Sequence, residues 1–65
     1  MYDVLERAIR DGQRIMLYRN GTEFVVIAQA LRMIDGRETI VTRHPTTGDR
    51  AQFRLDEIDR FEVVR

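Results

Sequence analysis

The sequence predicts a mainly β fold with one helix: an N-terminal α-helix followed by five short strands that curl into a small barrel. Three observations predict it. Asn20-Gly21 and Asp35-Gly36 are strong two-residue hairpin signals, each flanked by apolar runs. Near the end of the chain, Phe53 and Leu55 alternate with polar neighbours, and so do Phe61 and Val63. The acidic piece between these runs, Asp56-Glu57, has room for about one helical turn, so the last strand folds back sharply at a corner.

The helix comes first. Val4, Leu5, Ala8 and Ile9 form one apolar stripe at helical spacing, and Asp3 stands three residues before Glu6 as an acidic variant of the capping box. A helix over about residues 4–11 follows, with Arg7 and Arg10 placed favourably for its dipole and Gly12 as the left-handed residue that ends it. Two turns are not stable alone, so the stripe must pack on the sheet.

A first strand over about 13–19 alternates Ile15 and Leu17 with Arg14 and Arg19. A type I′ turn at Asn20-Gly21 then sets Tyr18 opposite Glu23, Leu17 opposite Phe24 and Ile15 opposite Val26, which gathers Ile15, Leu17, Phe24 and Val26 on one face. The second strand, about 22–33, loses strict alternation along Val25-Val26-Ile27-Ala28, as a strand does where it bends between two halves of a barrel. Asp35-Gly36 sets Leu31 opposite Ile40 and Ala30 opposite Val41, giving a third strand over about 37–43. A turn-rich connection, His44-Pro45-Thr46-Thr47-Gly48-Asp49, leads to strands over about 50–55 and 59–64. One domain over 1–65, with the element order of an Sm-like or SH3-like barrel, accounts for the whole chain.

Composition narrows the function. The chain has no Cys, Lys or Ser, so disulfides, thiolate metal sites and the usual Ser, Cys and Lys nucleophiles are absent. All eleven basic residues are Arg, and eleven acids balance them, so any anion site must come from local clustering rather than from the net field. No apolar run approaches the ~20 residues of a membrane span. Met1 opens directly into the helical pattern without a secretory signal, and the expectation is a cytoplasmic protein that does not engage membranes.

Leu5, Ala8-Ile9, the strand ending at Tyr18, the Asp35-Gly36 turn and Phe53-Arg54-Leu55-Asp56-x-Ile58 together resemble the WYL domain family. That resemblance implies an Sm-like barrel that senses a ligand, often a nucleic acid or nucleotide, in bacterial transcription regulation. This chain departs from the family pattern at Glu38-Thr39-Ile40, where the Trp-Tyr-Leu of the name belongs, at Ala28 in place of a usual proline, and at Glu57 in place of an Arg. Asp3-x-Leu5-Glu6 and Arg54-Leu55-Asp56-x-Ile58 are also similar to the Rof family, small stand-alone Sm-like proteins that inhibit the transcription terminator Rho by binding it. Both sets of motifs are structural and speak to the barrel more than to its task.

Catalysis and cofactors are not expected. His44 is the only His, and a metal there would need two or three more ligands converging from separate strands; Asp56, Glu57 and Asp59 could form an acid cluster for catalysis or a cation but read more simply as a helix cap and solvated charges, and each of the four glycines is used by a turn rather than a phosphate loop. Asp56 is read as the cap of the one-turn helix and Phe61 as core. The candidate ligand or nucleic-acid site is Arg43, Arg50 and Arg54, with Tyr18 or His44 as a stacking surface. Arg43 and Arg50 flank the 44–49 connection, so a simple hairpin brings the two like charges together. Either Glu38 or Asp49 folds over them, or a phosphate or acidic partner surface does. The sequence therefore reads as a non-enzymatic regulatory binding module. The rival is a protein-interaction inhibitor or structural oligomer working through strand edges, with Val64 on the terminal strand favouring weak homo-oligomerisation and Arg60, Glu62 and Arg65 opposing it.

Overall fold

The computed structural model of the protein describes residues 2–65. The helix α1 spans Tyr2–Asp11, and five strands follow: β1 Arg14–Arg19, β2 Thr22–Ile34, β3 Arg37–Arg43, β4 Arg50–Arg54 and β5 Arg60–Val63. A single 3-10 turn, Leu55–Glu57, joins β4 to β5. All strand pairs are antiparallel in the order β4-β3-β2-β1-β5. The predicted mainly β architecture with one helix is thus the observed one, a small barrel-like sheet that is not closed.

The α1 helix starts two residues earlier than its stripe suggests, so Asp3 lies inside the first turn, where it complements the dipole, rather than capping it. Leu5 and Ala8 are fully buried and Ile9 packs beside them, but Val4 is exposed: the buried stripe is narrower than four residues. At the C-terminal end, the Gln13 amide donates to the Ala8 carbonyl (2.9 Å) and the Gly12 amide to Ile9 (3.2 Å). With Gly12 at φ +63°, this is a Schellman ending.

Both hairpin registers follow their turns. Asn20 (φ +50°) and Gly21 (φ +76°) have the left-handed conformations of a type I′ turn, and Leu17 faces Phe24 while Ile15 faces Val26. Leu31 likewise faces Ile40 across the Asp35-Gly36 turn. The irregularity in β2 falls later than the sequence suggests: burial alternates through Ala28, and a bulge between Ala28 and Ala30 absorbs Gln29. The bend lets β1 pair with the first half of β2 and β3 with the second, while β5 adds to the far side of β1 and β4 to the far side of β3. Between these halves lies the core of Leu5, Ala8, Ile15, Leu17, Val26, Ala28, Ile40 and Phe53.

The corner differs in two details. The 3-10 turn has no side-chain cap, so Asp56 does not close it as expected. Its carboxylate instead accepts a hydrogen bond from Arg37 (3.0 Å), which ties the corner to the start of β3. Phe61, opposite Leu17 on an edge strand, packs against the core from its margin and is only partly buried. No helix of the described residues is long and apolar enough to cross a membrane.

Candidate functional site

The 44–49 loop returns the chain so that Arg43 and Arg50 lie directly opposite each other. Thr42, Ile40 and Phe53 point inward, so strand alternation places both Arg on the outer face. No ion pair among the described residues involves either side chain. Neither expected internal partner reaches them: Glu38 accepts the Tyr2 hydroxyl (2.6 Å), and Asp49 joins no ion pair among the described residues. Two like charges held in register without an ion-pair partner among the described residues weaken the hairpin locally.

Arg54, at the far end of β4, has the opposite environment. Its guanidinium donates to Glu57 and lies 3.8 Å from Asp56. The hydrogen bond to Glu57, more than charge alone, holds its pKa above the ordinary arginine value. Of the three arginines expected to act together, Arg54 is therefore neutralised by the corner, and Asp56 divides its charge between Arg54 and Arg37.

Beside Arg50 opens a cleft of about 500 Å³, whose lining includes Arg19, Phe24, Val26, His44 and Phe53. Its origin is the stagger of the strands. Pairing between β2 and β3 begins only at Ile27, so residues 22–26 of β2 pair with β1 alone and leave space on their other side. Phe24 and Phe53 meet there with ring centroids 5.2 Å apart and planes tilted by 57°. Arg19 continues the inward parity of Ile15 and Leu17 past the core, and its guanidinium lies 5.0 Å from the Phe24 centroid and 5.1 Å from that of Phe53. The result is an aromatic floor with a cation over it and a second cation, Arg50, on the rim.

His44 lines the same cleft but also builds the loop. Its Nδ1 accepts the amides of Thr46 (3.1 Å) and Thr47 (3.2 Å), while its own amide donates to the Asp49 carbonyl (2.7 Å). The ring is thereby fixed. Tyr18 is elsewhere, on β1 opposite Glu23 and Arg60, with the Arg60 guanidinium 4.0 Å from its ring centroid. The structure thus brings Arg43, Arg50 and His44 together and leaves Arg54 and Tyr18 outside. Arg19, Phe24 and Phe53 are the cleft residues that sequence reasoning did not assign to a site. The inward parity of Arg19 and Phe24 was readable from the Asn20-Gly21 turn, but their meeting with Phe53 was not.

Among the described residues, no three His, Cys, Asp or Glu side chains come together as metal ligands do. No family model matches this chain, and no curated protein or solved structure matches it either.

Proposed function

We propose that this domain is a non-enzymatic regulatory binding module whose ligand is a nucleotide or nucleic acid. A phosphate lies between Arg43 and Arg50, and a base enters the neighbouring cleft toward Phe24, Phe53 and Arg19. The observation that carries this reading is the facing Arg43–Arg50 pair, which joins no ion pair among the described residues and one member of which lines the aromatic cleft, beside Glu23 and Asp49. A bound phosphate removes the like-charge cost, and arginine forks suit phosphate geometry. The resemblance to WYL domains points the same way and implies a transcription-related setting.

The test is oligonucleotide binding followed by fluorescence anisotropy over a salt series. Wild-type protein is expected to bind and to weaken as salt rises, while Arg43→Gln and Arg50→Gln each lose about tenfold in affinity. Binding that ignores both substitutions, or no binding at low salt, overturns the proposal. In the second case, binding of an acidic polypeptide would identify an acidic protein surface as the partner.

A second reading has its own observation. The open sheet leaves β4 and β5 as edges, and Val64, just beyond β5, is 39% exposed. A protein-interaction module of the kind the Rof resemblance implies, or a weakly self-associating one, would use that edge. Sedimentation at high and low concentration checks self-association: one monomeric species at both, unchanged by Val64→Lys, removes it.

A further inference from the structure

The outer face carries a third unpaired arginine in register with the first two. Arg14 on β1 faces Ile27 on β2, Ile27 faces Arg43 on β3, and Arg43 faces Arg50 on β4. One cross-strand row therefore reads Arg14, Ile27, Arg43, Arg50. Ile15, Ala28, Thr42 and Ala51, the next residues on each strand, belong to the other face, where the first three are fully buried and the Thr42 hydroxyl donates to the Ala51 carbonyl (3.1 Å). Arg14 resembles Arg43 and Arg50 in taking part in no ion pair among the described residues. Glu62, opposite Met16 two residues along β1, is the nearest acid on this face of β5, and it is held by Arg60 (2.6 Å). Of the seven arginines that join no ion pair among the described residues, three, Arg14, Arg43 and Arg50, thus share one line.

We infer that the row binds a single-stranded nucleic acid laid across the strands, rather than a mononucleotide, with Arg14 as the distal phosphate contact. This rests on the nucleotide-binding reading of Arg43 and Arg50 and extends it. Three strand spacings separate Arg14 from Arg50, about 14 Å at ~4.8 Å each. At ~3.4 Å per stacked nucleotide, that span corresponds to about four nucleotides, beyond the reach of a ligand held in the cleft alone. Ile27 between the cations offers an apolar step against which a base edge packs, and the two ends of the row differ: only Arg50 adjoins the aromatic cleft. The strand therefore has one anchored base near Arg50 and a backbone running toward Arg14.

The test compares a uridine dinucleotide with a uridine octanucleotide on wild type, Arg14→Gln and Arg14→Lys, each first shown to melt like wild type. The octamer is expected to bind wild type more tightly than the dimer, with a log–log salt slope of about −2 for three phosphate contacts. Arg14→Gln should weaken the octamer about tenfold, bring its slope to about −1.4 and leave the dimer unaffected, while Arg14→Lys keeps the slope. Equal loss for dimer and octamer, or no loss for either, overturns the row while leaving the Arg43–Arg50 site standing. Failure of both ligands to bind wild type overturns the two together.

Discussion

The two ends of the β3–β4 hairpin are made from the same residue types and behave in opposite ways. At the turn end, Tyr2 meets Glu38, Arg37 meets Asp56, and Arg54 meets both Asp56 and Glu57. At the loop end, Arg43 faces Arg50 and Arg19 lies over Phe24 and Phe53, and none of these three arginines joins an ion pair among the described residues, although Glu23 and Asp49 line the same cleft. The first end is bridged by α1 and the 3-10 corner around a hollow of about 380 Å³ lined by Tyr2, Arg37, Glu38 and Asp56; the second opens onto the aromatic cleft of about 500 Å³. The contrast teaches that arginine count alone says little: the same residue type is tied into the fold at one end of the hairpin and left without ion pairs among the described residues at the other. Arg37 and Arg54 find acids within the fold, whereas Arg43 and Arg50, the proposed anion site, join no ion pair among the described residues; Arg7, Arg32 and Arg65 join none either, so it is the facing register of Arg43 and Arg50 that sets them apart.

Substitutions at the two ends separate these roles. The largest stability losses are expected in the core: Leu5→Ala, which empties the fully buried position where α1 meets the sheet, costs about 2–5 kcal/mol in a denaturant melt. Phe53→Ala is comparable at about 3–5 kcal/mol, since that ring is only 4% exposed. Phe24→Ala and Phe61→Ala, at partly buried positions, should melt above Phe53→Ala; for Phe24→Ala the loss of ligand should exceed the loss of fold. A smaller loss, about 1–2 kcal/mol, is expected of Gly21→Val, because a β-branched side chain is forced to φ +76°. Smaller still, and of opposite sign at the two ends, are the charge removals. Arg50→Gln should stabilise the free protein by about 0.2–1 kcal/mol by relieving the facing charges, whereas Arg37→Gln should slightly destabilise it.

The smallest effect belongs to Tyr2. Its hydrogen bond to Glu38, ahead of desolvation and the carboxylate's charge, raises its hydroxyl pKa above the ordinary value near 10. Raised in the folded state, this group contributes stability that is present below the unfolded pKa and lost as pH rises through the folded one. Tyr2→Phe should therefore lower the melting temperature slightly at neutral pH and not at strongly alkaline pH. An equal difference at both would mean that the hydroxyl does not hold α1 to the turn end.

Much of the fold was legible because the deciding chemistry is local. Asn20-Gly21 and Asp35-Gly36 specify their own turn type, and each turn dictates the register beside it. The site was half legible for the same reason. The 44–49 loop announces that Arg43 meets Arg50, but nothing nearby announces that Arg54 is taken by Glu57 and Asp56 while Tyr18 carries Arg60. The Arg14 row was hidden by the bulge. Carried straight on from the Asp35-Gly36 turn, the register would set Ala28 opposite Arg43; skipping Gln29 moves Ala28 opposite Thr42 and brings Ile27, and with it Arg14, into line. A one-residue irregularity in a bent strand has no local signature strong enough to place it, and it decides which charges share a row.

The central claim, that the Arg43–Arg50 pair is an anion site left unsatisfied in the free protein, is tested most directly by thermal melts at low salt with and without a uridine octanucleotide. The comparison is between wild type and the Arg43→Gln/Arg50→Gln double variant. The account predicts that the variant melts at or above wild type alone, and that ligand at about a hundred times its Kd raises wild type by on the order of 10 °C while hardly moving the variant. A double variant that melts well below wild type in the absence of ligand, or one that gains as much from the octanucleotide, would contradict it.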